Sequence, residues 1–372
     1  MEKINVVICV PTLSLGGAET MSTQLAQYVD TNKFNVHFIV NHSKVENRNY
    51  LALTSNENIH LYFLDENKGI SVRSIVKMYK LLKKIKPDII HTHLHSYPYV
   101  MFYAINHKVK ILHTIHNMPE FESKKSGQKI LRFLFKHKYA YPVGISNVIS
   151  TQTDVFYKLK DTVTIYNPVN VEKFNKVGTK DSNVFTFIST GRMSKQKNQK
   201  LLISAFAKVS SKHKNVRLLI AGDGVLKDEL LAQVKELNLS NVTFLGNINN
   251  VEDYYAISDA FILSSIYEGL PMTILEAMAA HLPIISTDVG GVKDIVTDNG
   301  LLTTSENEDE LVDAMCKLVT DRKLCDELGE KSFKNVQQFD ISVITKKYED
   351  LYCKYAKKKV KWWKKPFGVG LF

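Results

Sequence analysis

Glu268 and Glu276 stand eight positions apart in the stretch YEGLPMTILEA. The first acid precedes a Gly-Leu-Pro turn, where the backbone amides of Gly269 and Leu270 meet the start of a helix. The second sits inside an apolar, helix-forming run. An unpaired carboxylate is costly in such a run. Glu276 therefore calls for hydrogen-bond donors, and the vicinal hydroxyls of a ribose would supply them. The two carboxylates could reach different hydroxyl-rich parts of one ligand. The plain alternative is a loop acid and a surface helix acid with no shared partner.

Arg192 and Lys197 fall in TGRMSKQKNQK, just after a strand-like run. A glycine, a guanidinium, a lysine and a helix start at one strand end can clamp a phosphate, the arginine as a planar fork and the lysine as a compact charge. The alternative is a solvated loop. Gly16 and Gly17 follow the first apolar run and open a helix, where free amides favour an anion. A tight turn with no ligand fits equally well. The full GxGxxG fingerprint is absent, so nicotinamide binding is not supported. Gly222, Asp223 and Gly224 close another run and read as a structural turn.

His113 and His116, in HTIHN, have a spacing that could ligate a metal. On a strand-to-loop segment they need not share a face, and no acid-rich partner lies nearby. A single functional His116 at the strand end is the preferred reading, with a structural histidine as the alternative. His91, His93 and His95 have the period of a strand face.

Strands must position these groups. INVVICVP, FNVHFIVN, DIIHTH, VKILHTIHN and YPVGIS read as strands in the first half, with a loop between FNVHFIVN and the helix SVRSIVKMYKLLKKIKP. In the second half NVFTFISTGR, VRLLIAGDG, NVTFLGNI, DAFILSS and LPIISTDVGG alternate with helices. The pattern predicts two doubly wound parallel sheets, with ligands beyond the carboxyl ends of the strands and in a cleft between domains. The expected divisions are 1–170, 171–344 and a C-terminal helix with a basic aromatic tail at 345–372, the tail packing on the N-terminal domain or on a membrane.

The chain has 372 residues, 44% hydrophobic and 23% charged, as in a soluble globular protein. Its length suits two domains. No run is long enough to span a membrane and no leader is read at the N-terminus. Cys9, Cys316, Cys325 and Cys353 form no metal or disulfide pattern, which fits a reduced, cytosolic protein. The net charge of +11 divides as +9 over residues 1–170, −5 over 171–344 and +7 over 345–372. A basic front and tail around an acidic middle suggest one face meeting an anionic surface. The tail segment KYAKKKVKWWKKPF mixes lysine with Trp362 and Trp363, a composition suited to lipid headgroups. No nucleic-acid recognition motif is present.

Taken together these residues resemble the retaining glycosyltransferases of family four, of GT-B fold and of the bacterial surface-polysaccharide type. The likeness runs over nearly the whole chain. Its most specific part is the E-x7-E element, Glu268 to Glu276. GRMSKQKN resembles the family's diphosphate clamp, and Gly16-Gly17, HTIHN, GDG and VGGVKDIV also match. NPVN at 167–170 departs from the Asn-Gly-x-Asp of many members.

The resemblance implies that Glu268 contacts the donor sugar and Glu276 the nucleotide ribose. It implies that Arg192 and Lys197 hold the diphosphate, and that His116 lies beside donor sugar and acceptor. Gly16, Gly17, Gly269 and Leu270 would bind substrate through their amides. The implied donor is a nucleoside-diphosphate sugar, UDP by family habit, and the acceptor is a saccharide or lipid-linked glycan. The chain has no D-x-D motif. Arg192, Lys197 and the amides near Gly17 and Gly269 would then take the place of a metal, with no further cofactor. The expected setting is the cytoplasmic face of the cell membrane. The leading alternative is a GT-B nucleotide-sugar epimerase. A non-catalytic binding module and a phosphorylase-like role fit less well.

Overall fold

The computed structural model describes residues 2–14, 16–42, 47–66 and 70–357. It divides into two units, one formed by Met1–Pro168 with the segment from Ile341 onward, the other by Val169–Asp340. The basic aromatic tail beyond Lys357 lies outside the described residues.

The first unit is built on seven parallel strands: β1 Ile4–Val10, β2 Phe34–His42, β3 Ile59–Glu66, β4 Ile89–His93, β5 Lys110–Ile115, β6 Ala140–Gly144 and β7 Val163–Thr164. Their order in the sheet is β3-β2-β1-β4-β5-β6-β7. In β1 every residue but Asn5 is buried, as expected of a strand covered on both faces. The order reverses between β1 and β4, which are direct neighbours. At such a switch point the loops at the carboxyl ends part and leave room for a ligand.

The segment between β2 and the helix Val72–Ile85, expected as loop, holds the helix Arg48–Thr54 and edge strand β3. The mixed run IHLYFLDE hid β3, because it lacks the nearly all-apolar pattern of β1. Helices Tyr97–His107 and Asn147–Tyr157 also escaped the reading. The closing helix Ile341–Tyr355 buries Ile344, Tyr348, Leu351 and Tyr352. It packs on the first unit, where Tyr352 meets Phe34 edge to face at 5.9 Å. Each such side chain, removed from water, contributes about 1.5–3 kcal/mol.

The second unit repeats the plan with six parallel strands: β8 Phe185–Thr190, β9 Val216–Ala221, β10 Val242–Gly246, β11 Ala260–Leu263, β12 Ile284–Thr287 and β13 Gly300–Thr303. Their order is β10-β9-β8-β11-β12-β13, and the switch point lies between β8 and β11. Phe185, Phe187, Phe206, Leu218, Ile262 and Met315 anchor its core. The segment at 168–182 starts with a short helix, Val171–Phe174, capped by Asn170, whose side chain accepts from Lys173 N at 2.9 Å.

Candidate functional site

In the second unit the loops after β8 and β11 lie side by side at the switch point and are joined by hydrogen bonds. Ile266 N donates to Gln196 O at 2.8 Å. Gln196 Nε2 donates to Tyr267 O at 2.9 Å. Ser264 Oγ donates to Lys197 O at 3.0 Å. The result brings two sequence candidates together: Lys197 Nζ lies 2.7 Å from Glu268 Oε1. Ser265 Oγ donates to the same oxygen at 2.6 Å. The two charged side chains are only 16% and 8% exposed, so each is the other's principal counter-charge.

Arg192, on the loop after β8, is exposed and makes no ion pair among the described residues. Its fork of donors is open to an anion. Glu276 is half-buried on the helix Met272–Ala279. Its carboxylate is 3.5 Å from the Tyr255 hydroxyl, which bonds Thr190 Oγ1 at 2.7 Å. Tyr255 thus ties Glu276 to the end of β8.

The turn VGG braces Glu268 from the other side. Gly291 N donates to Gly269 O at 2.8 Å. Gly290 has φ +56°, and a Cβ there would sit 1.8 Å from Glu268 O, so only glycine fits. Asp223 holds the loop after β8 by accepting Met193 N at 3.0 Å through its backbone oxygen.

In the first unit Gly16 is the N-cap of the helix Gly17–Tyr28 and makes no side-chain cap bond. Behind it lies Glu19, an acid the sequence reading missed. Glu19 is buried and accepts from Thr12 Oγ1 and Ser14 Oγ, each at 2.8 Å. A Cβ on Gly16 would meet Glu19 Oε2 at 2.5 Å. The glycine therefore makes room for this carboxylate at the positive end of the helix. A first-turn acid in GGAE was the available signal.

His116 follows β5 and is half-buried. Its Nε2 lies 2.9 Å from His93 Nδ1, so one ring donates to the other. His113 turns instead to Thr92 Oγ1 at 2.9 Å. The i,i+3 pair thus shares no ligand point. Among the described residues no group of three or more His, Cys, Asp or Glu could hold a metal ion. Burial holds His113 and His116 down at about 3, as neutral imidazoles.

Glu122, also missed in the sequence, is 5% exposed. Its Oε2 accepts from His116 N at 3.1 Å and Asn117 N at 3.0 Å, fixing the loop that carries His116. Burial pushes its carboxyl up to about 8, against the lowering effect of those two amides. Nothing in the sequence around PEFE marked it, because the contact is formed by a turn of the chain. His91 is structural, with its ring nitrogens 2.8 Å from Tyr352 Oη and 2.7 Å from Thr114 Oγ1. Leu270 and Gly269 sit at the start of the helix Met272–Ala279, as the sequence implied.

Two Rossmann-like units, each with its polar groups at the switch point of a parallel sheet, define a GT-B glycosyltransferase. Comparison with known proteins agrees with that class. Residues 15–173 match the model described as "Glycosyltransferase Family 4", and residues 170–335 match "Glycosyl transferases group 1". The chain belongs to the family-four glycosyltransferases.

A Campylobacter jejuni protein, "N-acetylgalactosamine-N,N'-diacetylbacillosaminyl-diphospho-undecaprenol 4-alpha-N-acetylgalactosaminyltransferase", is 27% identical over 91% of this chain and 96% of its own. An Escherichia coli protein, "UDP-Gal:alpha-D-GlcNAc-diphosphoundecaprenol alpha-1,3-galactosyltransferase", is 27% identical over 94% of this chain and 96% of its own. Among solved structures, a glycosyltransferase from Rickettsia africae superimposes with a TM-score of 0.81 at 22% identity, over 95% of this chain and 99% of that one.

Proposed function

We propose that this chain transfers a hexosyl or N-acetylhexosaminyl group, with retention of configuration, from a UDP-sugar to a lipid-linked or saccharide acceptor. The reaction belongs to cell-surface polysaccharide synthesis, at the cytoplasmic face of the membrane. The observation that carries the reading is the Lys197–Glu268 pair at the β8/β11 switch point, 2.7 Å apart, with Arg192 exposed on the same loop. A lysine ammonium has three donors. One N–H on Glu268 leaves two for a diphosphate. Arg192 adds a fork to the same leaving group, whose developing negative charge needs preorganised cations. These two side chains supply the positive charge that a metal supplies elsewhere, so the reaction is proposed to need none.

Glu268, held by Lys197 and Ser265, accepts from hydroxyls of the donor sugar. Glu276, steadied by Tyr255, accepts from the ribose. The amides of Gly269 and Leu270 face the phosphates at the helix start. His116, neutral and bonded to His93, serves the sugar and acceptor as a hydrogen-bond partner rather than a cation. Gly16 and Gly17 bring backbone amides to the substrate. The base and the lipid carrier are supported by the names of the two relatives, which specify UDP-Gal in one and diphospho-undecaprenol-linked acceptors in both. The basic first unit and tail support contact with an anionic membrane.

The test is incubation with UDP-sugars, with and without diphosphoprenol-linked glycans, and mass spectrometry of the products. A glycan extended by one sugar is the expected result. Conversion of the UDP-sugar to its epimer without any acceptor would instead establish an epimerase.

A further inference from the structure

Glu19 is 6% exposed. Its Oε1 accepts from Thr12 Oγ1 and Ser14 Oγ, whereas Oε2 has no hydrogen-bond partner among the described residues. Oε2 is open to solvent rather than sealed. No lysine, arginine or histidine pairs with the carboxylate among the described residues.

Closing the helix end does not account for this acid. Glu19 is the third residue of the helix Gly17–Tyr28, and a glutamate there can reach back to the N-cap amide. Gly16 is the N-cap, and no bond from its amide to Glu19 is present among the described residues. The positive helix end offsets part of the charge. Oε2 still calls for a donor, because a nearly buried carboxylate oxygen without one is costly.

A donor has a way in. A Cβ on Gly16 would stand 2.5 Å from Oε2, and beyond Glu19 the next atom met would be Ser14 Oγ at 3.6 Å. The bare glycine thus opens Oε2 to an approaching group. The loop that holds the acid is fixed beforehand: Asn47 Nδ2 donates to Leu13 O at 2.6 Å, and Asn49 Nδ2 to Ser14 O at 2.8 Å. Ser96 Oγ donates to Cys9 O at 2.9 Å, tying the loop after β4 to the end of β1. Glu19, His93 and His116 therefore stand at the carboxyl ends of the adjacent strands β1, β4 and β5.

The chemistry of the atom narrows what it takes. A phosphate oxygen on Oε2 would be repelled by the carboxylate. A lone carboxylate is no metal site, and no group of three or more His, Cys, Asp or Glu could hold a metal ion among the described residues. A hydroxyl donates one hydrogen bond and brings no charge. In the function proposed above, the diphosphate, sugar and ribose of the donor already have partners on the second unit. The hydroxyl left for the first unit is the acceptor's.

We infer that Glu19 Oε2 binds a hydroxyl of the acceptor sugar over the bare face of Gly16, and so selects acceptors that carry a hydroxyl at that position. The inference rests on the proposed transfer to a glycan acceptor and names one contact within it.

The test compares the parent, Glu19→Gln and Gly16→Ala as full chains. Glutamine keeps an oxygen for Thr12 and Ser14, and alanine is unstrained at the Gly16 φ of −72°, so both should fold, which thermal melts check. The acceptors are diphosphoprenol-linked glucose, galactose, N-acetylglucosamine and N-acetylgalactosamine, with every monodeoxy form of the one that the parent extends. Two rates are read with the UDP-sugar: transfer as the acceptor is varied, and release of UDP into water without acceptor. Both variants should lower kcat/KM for the acceptor by about 10–10²-fold, the range for a hydrogen bond to a charged group. UDP release without acceptor should stay near that of the parent. One monodeoxy acceptor should be a correspondingly poor substrate of the parent and nearly indifferent to both variants, because the bond they remove is already absent.

Transfer and UDP release falling together would overturn the inference, leaving Glu19 as a support of its loop. So would unchanged transfer, or variant losses that are the same for every monodeoxy acceptor. In each of these cases the proposed transferase function stands. If the parent extends none of the four acceptors, the proposed acceptor class fails and takes this contact with it.

Discussion

Lys197 Nζ and Glu268 Oε1 are 2.7 Å apart although 71 residues separate them in the chain. The bond joins the loops after the two strands at the switch point. It means that the residues proposed to hold the diphosphate and the sugar are set by one another before any substrate arrives.

That dependence is measurable. Lys197→Ala leaves Glu268 mostly buried without its counter-charge, and should destabilise the second unit by about 1–3 kcal/mol. The double variant Lys197→Ala/Glu268→Gln should recover most of that loss, giving a coupling of about 1–2 kcal/mol in a thermodynamic cycle. Additive losses in denaturant titrations would show that the pair is not energetically joined.

The two glutamates are expected to divide their work. Glu276→Ala should weaken UDP binding by about 1–3 kcal/mol, the range for hydrogen bonds to a charged group. Glu268→Ala should cut turnover far more than it weakens free UDP binding, since UDP meets only the Lys197 that Glu268 positions. Titration calorimetry with UDP, beside turnover, reads both. Equal loss of UDP affinity in the two variants would remove the division.

Arg192→Ala should lower turnover by about 10²-fold or more, as when a donor to developing negative charge is lost. The exposure of Arg192 leaves little structural cost to confuse the result. Activity of the parent should also survive EDTA. Complete loss on chelation with recovery on added Mg²⁺ or Mn²⁺ would refute the metal-free clamp.

The first unit should show two opposed pH effects. His113 and His116 are held down at about 3, and His91 and His93 well below the ordinary 6.5, all first by burial. Their contribution to stability is complete above about pH 6.5 and is lost as pH falls, at about 1.4 kcal/mol per histidine per unit. Glu122 is raised from 4.5 to about 8. Its contribution is complete below about pH 4.5 and fades as pH rises through about 8. Four histidines outweigh one glutamate in acid, so stability should peak near pH 6.5 and fall on both sides. In Glu122→Gln the alkaline decline should flatten, and the acid decline should remain. Urea titrations at several pH values would expose the error if the variant kept the parent's alkaline slope.

The strand–helix rhythm, the glycine turns and the polar groups after strands were legible in the sequence because parallel strands covered on both faces are unbroken apolar runs. INVVICV, broken only by Asn5, comes close to such a run. The E-x7-E spacing and the cations of GRMSKQKN were legible too, since each is local. Edge strand β3 was not, because the run LYFL breaks the alternation that a half-covered strand usually shows.

What only the tertiary structure decided are the contacts across the chain. Ser265 and Lys197 converge on one oxygen of Glu268 because two loops from neighbouring strands are laced together. Glu122 reaches back to the amides of His116 and Asn117 because the loop folds on itself, and burial then shifts its proton affinity. Glu19 fills the space that Gly16 leaves. Residue type and local period are written along the chain, whereas which polar groups share a proton, a charge or a face depends on strand order, and strand order is a property of the folded sheet.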